Sequence, residues 1–163
     1  MTWPTAYAPI LKVFLDVAPI KATGTAYYKH TNRDRYLAAR KRLGIDPTNS
    51  VDEVILYNTA GEVTEGSLRN ISVWRDGGWV TPPLSSGCMD GSVRRWMLST
   101  KKVREARILK GELRPGEWIL TSNAIEGCCF GKFVGMGRDE YDAVPDQENL
   151  PGHSTIDYPF TRG

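Results

Sequence analysis

Apolar and polar positions alternate along this chain in short blocks, and most of those blocks read as strands. Lys12-Val13-Phe14-Leu15-Asp16-Val17 is apolar and rich in β-formers, and Pro19 ends it, so an early extended segment is expected. A helix is expected from Thr31 to Gly44. Thr31 or Asn32 can cap it, Asp34 falls in its first turn, and Gly44 follows the basic end Arg40-Lys41-Arg42. Pro47, Asn49 and Ser50 mark a loop, and from Val51 the pattern turns to strands. VDEVILYN is one, with a turn at Ala60-Gly61 behind it. ISVWRDGGWVTPP reads as a hairpin turning at Asp76-Gly77-Gly78. A Gly- and Ser-rich loop, PLSSGCMDGS, runs into the helical VRRWMLST, in which Val93, Trp96 and Met97 share one face. VREARIL and EWILTS are further strands separated by an Arg-Pro-Gly turn, and CCFGKFVGM is a last strand broken by glycines. After Gly137 the periodicity is lost, and residues 138–163 read as an irregular tail. One early helix followed by strands and a loop-to-helix insert predicts an α+β domain over residues 1–137.

Charge and cysteine usage narrow the function classes. With 21 basic and 19 acidic side chains the net charge is only +2, which lacks the basic excess of a nucleic-acid binder. The first twenty residues hold three prolines, Lys12 and Asp16, so no signal-peptide core forms, and no apolar run is long enough to span a bilayer. Cys88, Cys128 and Cys129 are odd in number and two are adjacent, which argues against a disulfide framework and for a reducing, cytoplasmic setting. His30 and His153 have no finger-like spacing to a cysteine pair, so no metal site is expected.

Four local constellations could carry chemistry, and each has a bland reading beside it. Ser85 to Ser92 places two glycines and several hydroxyls before a helix N-terminus, where free amides and the helix dipole favour a phosphate; most such loops simply turn a corner. Lys29 precedes a helix start, where the dipole would depress its pKa toward that of a Schiff-base lysine; alone it is one solvated base among 21. Glu65, if buried, could face a pyridinium nitrogen, with Asn70 five residues on serving the site or merely ending a ladder. Thr121-Ser122-Asn123 follows an apolar strand and could take phosphate oxygens or build a turn.

Taken together and in order, the elements resemble the class IV aminotransferase superfamily, whose members bind pyridoxal 5'-phosphate. The match consists of Lys29; Gly61, Val63, Glu65 and Asn70; Thr81-Pro82; Gly87, Gly91 and Arg94; then Glu117, Leu120 and Asn123. Lys29-His30-Thr31-Asn32-Arg33, Asn123-Ala124-Ile125 and the pattern N-R-x-x-Y-x-x-A-R are similar to aminodeoxychorismate lyases of the fungal branch. Branched-chain aminotransferases carry a tyrosine five residues after the lysine, where this chain has Asp34.

The resemblance implies the large cofactor domain of the D-amino-acid aminotransferase-like fold, a barrel-like mixed sheet with flanking helices. It implies that Lys29 carries the cofactor and shuttles a proton, and that Glu65 pairs with the ring nitrogen near Asn70. The amides of Ser92 and Val93, behind Gly91, would hold the phosphate with Ser122 and Asn123. The implied activity is 4-amino-4-deoxychorismate lyase on a small anionic substrate, in a homodimer without nucleic-acid or membrane partners. An aminotransferase of the same fold and a non-catalytic truncated domain are the alternatives. The family's smaller N-terminal domain precedes the lysine; only 28 residues do so here, and the expectation is a chain lacking it.

Overall fold

The computed structural model describes residue 4, residues 9–20 and residues 33–137. Lys29, the proposed caps Thr31 and Asn32, and the tail from residue 138 lie outside the described residues. Eight strands form one mixed sheet: β1 (Leu11–Leu15), β2 (Asp52–Tyr57), β3 (Val63–Gly66), β4 (Asn70–Arg75), β5 (Gly78–Thr81), β6 (Val103–Glu105), β7 (Trp118–Asn123) and β8 (Gly127–Met136). Their order is β3-β2-β1-β8-β7-β4-β5-β6. Two helices, α1 (Asp34–Arg42) and α2 (Ser92–Ser99), flank the sheet.

Side-chain alternation along the strands builds the layers. Leu11, Val13 and Leu15 of β1, Ile55 and Tyr57 of β2, Ile71 and Val73 of β4, Ile119 and Phe133 all meet in one core inside the curl of the sheet. The intervening residues Phe14, Val54 and Leu56 face outward and pack on Tyr36 and Ala39 of α1 and on Leu43 just beyond it. Trp79, Trp118, Leu120 and Cys128 pack instead on Val93 and Met97 of α2. This double coverage explains why β2 is buried along its whole length. The chain after β6 then bridges the two edges of the sheet. Val63 donates its amide to Ile108 (2.8 Å) and Lys110 donates to Gly61 (2.9 Å), so the β3 edge is covered and the curl approaches a barrel.

Several sequence expectations shift by a few residues. Within the described residues the first helix runs from Asp34; Arg33 occupies the cap position without a side-chain cap, and its carbonyl accepts from the amides of Tyr36 and Leu37. The hairpin turns on Asp76-Gly77 alone, at φ 51° and 79°, and Gly78 already pairs with Arg75 as the first residue of β5. Two positive φ values suit the mirror-image turn that matches strand twist. VREARIL yields only the three residues of β6, because its remainder leaves to bridge the sheet edges. The last strand is not broken at its glycines. Instead β8 runs through them, and its register against β1 slips between Val13 and Phe14. Gly131, which pairs with Leu11, leaves room for β1, since a Cβ would lie 2.5 Å from the Val13 side chain.

The buried face of α2 comprises Val93, Arg94 and Met97, with Trp96 half-buried beside it. Arg94 is tolerated in the core because it pairs with Glu105 and Asp90 and donates to the Pro82 carbonyl. The basic end of α1 is likewise anchored. Arg42 grips the fully buried Asp16 through Nε (2.9 Å) and Nη2 (2.5 Å), and Arg40 donates to the Asp52 carbonyl and the Ser67 hydroxyl.

Candidate active site

Glu65 lies on β3, is 3% exposed, and is held on both carboxylate oxygens. The Tyr36 hydroxyl donates to Oε1 at 2.7 Å, and Arg35 Nη2 reaches the same oxygen at 3.4 Å. The Met89 amide donates to Oε2 at 3.2 Å. Burial pushes the Glu65 carboxyl above the usual carboxylate range, while Tyr36, Met89 and Arg35 pull it back. Burial, followed by the nearby Glu65 charge, lifts the Tyr36 phenol to about 12.

The loop carrying Met89 ties this carboxylate to the start of α2. Asn70, first residue of β4, donates its side-chain amide to the Met89 carbonyl at 2.8 Å. Gly91 lies against the other face of that amide, where a Cβ would stand 2.2 Å from Asn70 Oδ1, so only glycine fits without displacing Asn70. Gly91 is also the extended cap residue of α2, and no side chain caps the helix among the described residues. The amides of Ser92 and Val93 follow immediately. Ser122 pairs across β7 and β4 with Asn70, and across β7 and β8 with Cys128, whose sulfur lies 3.7 Å from Met97 of α2. The proposed residues Glu65, Asn70, Gly91, Ser92, Val93 and Ser122 therefore belong to one contiguous region.

Asn123 is engaged differently. Its Oδ1 accepts from the amides of Ile125 (3.0 Å) and Glu126 (2.7 Å), and its Nδ2 donates to Glu126 and the Leu68 carbonyl. This side chain organises the β7–β8 turn. Glu117, the acid of the E-x-x-L element, is spent on an ion pair with Arg75. Sequence reasoning overlooked Tyr36 and the Met89 amide. The available signal was an aromatic on the core-facing side of DRYLAARKR, in line with Ala39, within the N-R-x-x-Y pattern. Cys88 is buried in the same loop, and that burial pushes its thiol up to about 11, away from reactive thiolate chemistry.

A separate open groove of about 420 Å³ lies between the C-terminal end of α2 and the β5–β6 edge, lined by Trp79, Leu98, Lys102 and Val103 among others. None of the residues above lines it. Among the described residues no cluster of three or more His, Cys, Asp or Glu side chains could hold a metal, and no helix is long and apolar enough to cross a membrane.

A curled α+β sheet with a buried carboxylate beside a glycine-led helix start defines a class, and the sequence comparison agrees with it. The family Amino-transferase class IV matches residues 2–131, and the chain belongs to it. Among individual relatives, the chain is 33% identical over 134 residues to the aminodeoxychorismate lyase of Saccharomyces cerevisiae, covering 73% of this chain and 36% of that protein. A Schizosaccharomyces pombe relative is 33% identical over 109 residues, covering 65% of this chain and 47% of the relative. The chain thus spans between about a third and a half of the curated relatives it matches. The 4-amino-4-deoxychorismate lyase of Pseudomonas aeruginosa shares the fold at TM-score 0.64 and 19% identity, over 78% of this chain and 48% of that one. The branched-chain amino acid aminotransferase of Escherichia coli does so at TM-score 0.64 and 18% identity, over 91% and 50%.

Proposed function

We propose that residues 1–137 form the cofactor domain of a pyridoxal-phosphate-dependent 4-amino-4-deoxychorismate lyase, yielding 4-aminobenzoate and pyruvate. The observation that carries the proposal is Glu65: a buried carboxylate whose Oε2, among the described residues, accepts from Met89 and can accept once more. The residues suit the cofactor at two points. A buried carboxylate matches a protonated ring nitrogen, and the uncapped amides after Gly91 match a phosphate.

When bound, pyridoxal phosphate supplies an electron sink for breaking bonds next to the substrate nitrogen. Everything else falls to the chain. Lys29 holds the cofactor and, once freed, moves a proton at its Nζ. Glu65 holds the proton on the ring nitrogen. Ser92 and Val93 bind the phosphate through their backbone amides, with Ser122 completing the shell and Asn70 fixing the Met89 loop. The name of the Saccharomyces cerevisiae relative supports the lyase, as does Asp34 at the first position of α1, where a branched-chain aminotransferase carries tyrosine. A small anionic substrate, a homodimer and a cytoplasmic location complete the proposal.

The test is an assay of the chain loaded with pyridoxal phosphate. Incubation with aminodeoxychorismate is expected to release fluorescent 4-aminobenzoate and equimolar pyruvate. Amino-group exchange between an amino acid and a keto acid, without aminobenzoate release, would replace the lyase with a transaminase.

A further inference from the structure

Three side chains form a directed relay that ends on Glu65. Arg35 Nη2 lies 2.5 Å from the Tyr36 hydroxyl, and the Tyr36 hydroxyl lies 2.7 Å from Glu65 Oε1. A guanidinium has donors only, so the Tyr36 oxygen must accept from Arg35. Its single proton is then left for Glu65. The Arg35 guanidinium also sits 4.7 Å above the Tyr36 ring, which holds the pair together. Tyr36 is 4% exposed and its ring is locked in the outer core with Ala39, Val54 and Leu56. The hydroxyl therefore has little freedom to turn away.

We propose that Tyr36 is a positioning residue for Glu65, its hydroxyl fixing Oε1 so that Oε2 alone is left to face an incoming ring nitrogen. This rests on the proposed cofactor site. Consecutive hydrogen bonds in a buried chain polarise one another, so the Arg35 charge strengthens the donation from Tyr36. The relay also opposes the burial of the carboxylate, pulling its midpoint back toward the ordinary carboxylate range. Among the described residues, the groups facing Glu65 are Arg35 and Tyr36 from α1, Glu53 from β2, and Cys88 with the Met89 amide from the loop before α2. Of these only Arg35, Tyr36 and Met89 favour the ionised form.

The experiment is a pH titration of the cofactor-free chain carrying carboxyl-labelled glutamate, with the Glu65 resonance assigned by its loss in Glu65→Gln. In Tyr36→Phe the Glu65 midpoint is expected to rise by about one unit, a roughly tenfold weaker acid, because a hydrogen bond to a charged group is lost. A 3-fluorotyrosine placed at position 36, a stronger donor in the same volume, is expected to lower the midpoint and decides the matter if Tyr36→Phe does not fold. A midpoint that stays put in the folded variants overturns the proposal. Because no cofactor is present, the outcome is independent of whether pyridoxal phosphate binds.

Discussion

Replacing Glu53 with alanine is expected to cost about 3–5 kcal/mol of stability, a large share of a typical domain's total. Glu53 is fully buried on β2, and its carboxylate clamps the Ser67-Leu68-Arg69 turn between β3 and β4. Oε2 pairs with Arg69 Nη1 at 3.1 Å, while Oε1 accepts from the Ser67 hydroxyl at 2.7 Å and the Leu68 amide at 3.2 Å. Arg69 is itself 3% exposed, so its charge cannot recover solvation once the carboxylate is gone. Glu126 at 2.8 Å and the Ser50 carbonyl would retain only its other nitrogen. The linkage is also sterically tight, since a Cβ at Gly66 would meet the Glu53 carboxyl carbon at 2.7 Å and the Arg69 carbonyl at 2.8 Å. Denaturant unfolding should show a lower midpoint with an unchanged slope, and thermal unfolding a drop of roughly 10 °C. A loss below about 1 kcal/mol would contradict this role for the pair.

The second buried glutamate should behave in the opposite way. Glu65→Gln keeps the volume but only one acceptor oxygen, so either Tyr36 or the Met89 amide loses its acceptor; removal of a buried charge offsets that loss, and the net cost should stay at about 1 kcal/mol. Lyase turnover, by contrast, should fall roughly 10²–10³-fold, the scale for losing one preorganised electrostatic partner, because a neutral amide cannot hold a proton on the ring nitrogen. The pH dependence follows from the raised Glu65 midpoint. A carboxyl whose folded pKa exceeds its unfolded value binds its proton more tightly in the native chain. Its contribution to stability is therefore present below the ordinary carboxylate range and is lost as pH rises through the folded midpoint. Wild type should lose stability relative to Glu65→Gln across that window, while its activity rises across the same window as Glu65 ionises. Equal pH profiles for the two proteins would contradict the assignment.

These two glutamates also mark the limit of what the sequence discloses. β2, β7 and the Asp76-Gly77 hairpin were legible because contiguous apolar runs and a two-residue turn are local properties. The α+β class followed from the order of those elements. The bridge from Ile108 to Val63 was not legible, since it joins segments far apart and leaves no mark in either one's periodicity. Buried arginines were hidden for a related reason. Arg40, Arg69 and Arg94 read as surface charges until the carboxylates and carbonyls that enclose them are seen in space. Glu65 stood out only through its place in an ordered set of motifs, and Glu53 had no such set. Asn123 was chosen by motif order as well, yet its side chain is taken up by the turn that its own spacing to Glu126 creates.

The proposal that Lys29 carries pyridoxal phosphate and Glu65 serves its ring nitrogen is tested most directly by absorbance titration with the cofactor. Wild type is predicted to develop a visible imine band that borohydride fixes as added mass on Lys29, and Lys29→Ala is predicted to show no band. No band in the wild type, or a band that persists in Lys29→Ala, would contradict it.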